Sequence, residues 1–118
     1  MNTTGKINYI ELPCQDLAAS KDFFTSVFGW GFVDYGPEYT AFENAGIDGG
    51  FFLSQSCART QQGSALVVLY SAELEATQDA VSKAGGEIVK PIFRFPGGRR
   101  FHFFCPSGNE FAVWSDHG

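Results

Sequence analysis

The sequence predicts an α+β protein made of two β-α-β-β-β modules, on three observations. Two capped, amphipathic helical segments each follow one β-rich run and precede three more. The second segment repeats the first at a constant shift of 57 residues. Thirteen Phe accompany 14 Gly in 118 residues, a composition suited to strands and tight turns around an aromatic interior.

The elements follow in order. Residues 7–12 alternate Ile7, Tyr9, Glu11 with Asn8, Ile10, Leu12 on two faces, and Pro13 is expected to stop this first strand. Asp16 is placed to N-cap a helix over 17–28, with Leu17, Phe24 and Phe28 on one face and Gly29 as the left-handed terminator. Strands are predicted over 31–35, 38–44 and 49–54, separated by Gly36-Pro37 and Gly46-Ile47-Asp48. Residues 55–63 carry no large apolar side chain and read as a linker between module 6–54 and module 64–115. The pattern then restarts with a strand over 65–70 and a helix over 73–84 closed by Gly85-Gly86. Strands over 87–95 and 99–104 flank the turn Pro96-Gly97-Gly98, and 110–115 completes the second module. The shift of 57 pairs Asp16 with Glu73 and Ser20 with Thr77, and matches identical residues at Leu17/Leu74, Ala19/Ala76, Asp22/Asp79 and Gly29/Gly86.

Size and charge exclude several classes of function. A chain of 118 residues is one domain's worth of core, and 44% hydrophobic content excludes disorder. The net charge of −5 disfavours a phosphate backbone as partner, so no nucleic acid is expected. Cys14, Cys57 and Cys105 are odd in number and lack CxxC spacing, which argues against both a disulfide framework and a structural zinc site. No run of about 18 apolar residues occurs, and the first six residues lack the apolar core of a leader. A cytoplasmic protein with no membrane partner is expected.

Three stretches carry a resemblance: Ile7-Asn8-Tyr9-Ile10-Glu11-Leu12-Pro13; Asp16-Leu17 through Phe23-Phe24 to Val27-Phe28-Gly29-Trp30; and Cys105-Pro106-Ser107-Gly108-Asn109-Glu110. Together they resemble the vicinal oxygen chelate superfamily, which holds glyoxalase I, the fosfomycin- and bleomycin-resistance proteins and the extradiol dioxygenases. The resemblance implies a pseudo-twofold pair of modules, a curved mixed sheet around a cavity, helices outside, and a homodimer. It also implies four inward metal-ligand positions, which fall at Tyr9, Leu66, Ala112 and, on the less securely aligned strand, Phe52. Such side chains do not hold a divalent ion, so neither a metal nor any other cofactor is expected.

If Tyr9 and Ala112 face a cavity, period-two geometry turns Glu11, Glu110 and Trp114 the same way. His102 matches a substrate-contacting position in the resistance proteins the sequence resembles, and Tyr39 or Phe42 adds an aromatic wall. The predicted ligand site is therefore Tyr9, Glu11, Tyr39, Phe52, His102, Phe104, Glu110 and Trp114. It suits a small aromatic or cationic molecule held by stacking and charge complementarity. Glu11 and His102 are the candidate acid-base residues of an alternative reading as a lyase or isomerase of the lactoylglutathione lyase type, which would otherwise use a metal held by noncanonical ligands. The bland reading makes the aromatics core and His102 a satisfied structural imidazole. The run Gly98-Arg99-Arg100-Phe101-His102-Phe103-Phe104, with Lys90 and Arg94, also imitates a basic-aromatic RNA-binding strand. In its milder form, Arg94, Arg99 or Arg100 holds an anionic group of a small substrate.

Overall fold

The computed structural model describes residues 2–117 and contains the duplicated β-α-β-β-β order. The first module is β1 (Tyr9–Cys14), α1 (Leu17–Phe28), β2 (Gly31–Asp34), β3 (Tyr39–Glu43) and β4 (Asp48–Leu53). The second is β5 (Val67–Tyr70), α2 (Leu74–Lys83), β6 (Glu87–Phe95), β7 (Gly98–Phe104) and β8 (Glu110–Ser115). Rather than one continuous sheet, the strands form two curved four-stranded sheets ordered β1-β4-β3-β2 and β5-β8-β7-β6. In each, the first strand runs parallel to the last and every other pair is antiparallel.

Local chemistry explains both helices. The Asp16 carboxylate accepts the Ala19 N–H at 3.0 Å, and Gly29 closes α1 at φ 73°. Glu73 does not cap α2 with its side chain. Ser71 Oγ instead fixes the chain just before the helix, accepting the Glu73 N–H at 3.0 Å and bonding Thr77 Oγ1 at 2.7 Å. Pro13 does not end β1: it pairs in register with Phe52, and the strand continues to Cys14. β1 is an edge strand with a ladder on one side only, which is where a strand tolerates a residue lacking its N–H.

Most of the aromatic surplus fills a solid core between the helices and one face of each sheet. Phe24 of α1 stacks on Trp30 with centroids 4.5 Å apart and meets Phe51 and Phe111 at 5.6 and 5.0 Å. Phe23 reaches Phe103 at 5.8 Å, so α1 packs on the second sheet as well as on its own. Phe42, one of the two candidates for a cavity wall, is buried in this core. The modules are tied by the fully buried Asn109. Its Nδ2 donates to the Pro13 carbonyl at 2.6 Å and its Oδ1 accepts the Ala58 N–H at 2.7 Å. The helix-free faces of the two sheets carry the remaining predicted site residues.

Candidate functional site

On β7 the alternation sends Phe101 and Phe103, both fully buried, toward the helices, and Arg100, His102 and Phe104 to the open face. The ladder to β8 sets Arg100 opposite Trp114, His102 opposite Ala112 and Phe104 opposite Glu110. Cross-strand neighbours share a face, so His102, Phe104, Glu110 and Trp114 form one patch. The His102 side chain is only 4% exposed, and its Nδ1 lies 2.9 Å from Glu110 Oε2. The other ring nitrogen, Nε2, is buried and has no hydrogen-bond partner among the described residues.

The linker completes the patch. Its Thr60 donates N–H and Oγ1–H to Glu110 Oε1, each at 2.8 Å. Arg59 donates Nε–H to the Gly108 carbonyl at 2.8 Å and lays its guanidinium 3.8 Å from the Phe104 ring centroid. Burial is the largest influence on Glu110 and pushes its carboxyl pKa up. The hydrogen bonds from His102 and Thr60 together outweigh it and hold the group below the ordinary carboxylate value. Around the patch, Trp114 meets Tyr70 edge-on at 5.3 Å and Phe95 at 6.3 Å. Arg59 and Thr60 escape sequence reasoning because a polar linker gives no sign of which strand it will cross.

The other predicted residues gather on the first sheet. Tyr9 Oη lies 2.5 Å from Tyr39 Oη, and Tyr39 donates to Glu11 Oε2 at 3.0 Å. Phe52 stands beside Tyr39 in register. Burial, then the bonds to Tyr9 and Glu11, push the Tyr39 phenol pKa far above its ordinary value. Glu11 itself is exposed, so the apolar, desolvated setting expected for it as an acid-base group is missing. The carboxylate given to His102 is Glu110, not Glu11. Glu11 also lines a cleft of about 890 Å³ between the facing edges β1 and β5, walled by Ile10, Leu12, Trp30, Leu69 and Phe111.

The ladders also correct one metal-ligand position. β1 pairs with β4 as Glu11 opposite Gly50, and β5 with β8 as Val68 opposite Ala112, so the counterpart of Ala112 is Gly50 and not Phe52. The four positions thus offer a phenol already bonded to Tyr39, a glycine, Leu66 and Ala112. That donor set does not fit a divalent ion. Nor do three or more His, Cys, Asp or Glu side chains converge on a common point among the described residues.

This architecture has counterparts among known proteins. The sequence profile of the Glyoxalase/Bleomycin resistance protein/Dioxygenase superfamily matches residues 6–113, and the chain belongs to that superfamily. It is 32% identical to the anthracycline biosynthesis protein DauV of Streptomyces sp. strain C5, over 93% of this chain and 46% of that protein. The chain spans about half the length of the curated relatives it matches, 45–46% of each. A glyoxalase-related enzyme from Fulvimarina pelagi superposes with a TM-score of 0.77 at 23% identity, covering 94% of this chain and 88% of that one. The fosfomycin resistance protein FosX from Listeria monocytogenes gives 0.77 at 20% identity, covering 96% and 94%. At these identities the two structures speak for the fold alone. No helix among the described residues is long and apolar enough to cross a membrane.

Proposed function

We propose that this chain binds a small aromatic molecule on the open face of its second sheet. The observation that carries the reading is the buried His102, anchored by Glu110 at Nδ1 and unpartnered at Nε2 among the described residues, with the Phe93 ring 5.8 Å away and Phe104 and Trp114 on the same face. A polar atom buried without a partner is costly in a folded protein, and a ligand group is one partner that would relieve that cost. The similarity to a protein named for anthracycline biosynthesis supports an aromatic ligand, because anthracyclines are planar polycyclic aromatics. Exposed apolar side chains on the open faces, among them Tyr9, Phe52, Val68 and Tyr70, support a homodimer that covers part of them. Native mass spectrometry of the purified protein tests both points. A retained organic mass or a ligand-dependent thermal shift, together with a dimer mass, is the expected result; a bare monomer unmoved by any aromatic compound overturns the proposal.

A second reading rests on the same pair. When Glu110 accepts the Nδ1–H, the lone pair of neutral His102 is left on Nε2, the arrangement of a general base in a proton-transferring lyase or isomerase. Glu110 then orients the ring. His102→Asn separates the readings once a ligand is in hand: loss of turnover with retained affinity marks the enzyme, and loss of affinity alone marks the binding protein.

A further inference from the structure

We infer that the ligand is an aromatic oxyanion, a carboxylate or an acidic phenol, held between Arg100 and His102. This deepens the proposed binding function and rests on it. The sequence leaves three arginines as candidates for an anionic group, and the fold separates them. Arg99 turns to the helix side and is ion-paired with Glu75 on α2. Arg94 is its cross-strand partner and shares that side. Arg100 alone of the three stands on the open face, two residues along β7 from His102, at the spacing that puts side chains next to one another on one face.

Arg100 is poised between aromatic rings. Its guanidinium carbon lies 5.4 Å from the Phe93 centroid and 5.2 Å from that of Phe95, and Phe95 in turn reaches Trp114. Its Nε is buried with no hydrogen-bond partner among the described residues, so this face carries two buried nitrogens without partners, Arg100 Nε and His102 Nε2. Arginine does not lose its proton, so Arg100 Nε–H calls for an acceptor. A ligand oxygen of negative charge is the strongest acceptor available to it. His102 serves either source of that charge. Protonated, it donates Nε2–H to a second carboxylate oxygen; neutral, it takes the proton of an acidic phenol at Nε2, leaving the phenolate oxygen to Arg100. An aromatic cation would instead meet the Arg100 guanidinium, while Glu110 is already hydrogen-bonded by His102 and Thr60.

Four naphthalene probes of matched shape test the assignment on the full chain by calorimetry: 2-naphthoate, an acidic nitronaphthol, 2-naphthamide and naphthyl-trimethylammonium. Both anions are expected to bind at least tenfold more tightly than the amide. Arg100→Gln should abolish that gap, and His102→Asn should weaken the nitronaphthol more than the naphthoate. Thermal melts identify a variant that fails to fold, in which case Arg100→Lys, which keeps the charge without the Nε–H, must still narrow the gap. Cation or amide binding as tight as that of the anions overturns the oxyanion assignment and leaves the binding proposal standing. Absence of binding by all four probes overturns both.

Discussion

Cys57 is the thiol that solvent reaches. It sits half-buried in the linker, with its Sγ–H donated to the Ser107 carbonyl at 3.4 Å. Cys105 is buried, and burial pushes its thiol pKa up to about 11, which suppresses the nucleophilic thiolate. Cys14 is buried against the Ser20 and Ser107 hydroxyls at 3.1 and 3.2 Å. A disulfide-exchange reagent at pH 8 should therefore titrate one thiol quickly in the native protein and the other two only with denaturant, and Cys57→Ser should remove the fast phase. Tyr39 makes a second residue-level case. Its folded pKa is raised above the ordinary 10.0, so the stability it contributes is complete below pH 10 and is lost as pH rises beyond that. Ultraviolet titration should show a tyrosine that ionises only as the protein unfolds in alkali. In Glu11→Gln that phenol should ionise at lower pH, since the carboxylate that disfavours its charged form is gone.

Among the elements, β4 is flanked by strands on both sides, and its Gly49 and Gly50 lie under Phe42 and Tyr39. A Cβ on Gly49 would stand 2.3 Å from the Ile10 carbonyl oxygen and 2.4 Å from the Phe42 ring, so Gly49→Ala forces β1 or Phe42 aside. Overpacking of this kind costs about 1–3 kcal/mol. Asn109→Ala leaves the Ala58 N–H and the Pro13 carbonyl without their bonds, at about 1–3 kcal/mol for each buried orphan. Urea unfolding of the two variants should show losses of this order. Much of this layer was legible in advance: helix α1 and its two caps follow from Asp16, the Leu17, Phe24 and Phe28 face, and Gly29. Phe52 was misassigned for a geometric reason. The modules correspond at a shift of 57 on their first strands but 62 on their last, because β6 runs nine residues with bulges where β2 has four. A register offset of that kind lives in the ladder, not in local residue types. Alternation puts His102 and Glu110 on one face, but which carboxylate meets His102, Glu110 rather than Glu11, depends on the diagonal contact that the β7–β8 register sets. The Thr60 and Arg59 contacts depend on where a polar linker settles, which no periodicity encodes.

At the scale of the whole molecule, Glu110 joins three parts of the chain: its own strand β8, His102 on β7, and the linker through Thr60 and the Ala58 carbonyl that accepts the Glu110 N–H at 2.8 Å. Its folded pKa is lowered below the ordinary 4.5, so the unfolded chain binds its proton first as the pH falls. The stability it supplies is therefore present above about pH 4.5 and is lost as pH drops through the folded value. Exposed carboxylates move the same way, Glu75 through Arg99 and Asp34 through Lys21, but their pairs are screened by water and salt. Glu110 is distinguished from them by a side chain only 9% exposed, so its share of the acid limb should persist at high ionic strength. The expected outcome is a wild-type protein whose urea midpoint falls between pH 5 and pH 3 at high salt. Glu110→Gln should start from a lower midpoint at pH 7 and decline less over that window. Equal slopes in the two proteins would mean that the joint between strand and linker is not held by the charge of Glu110.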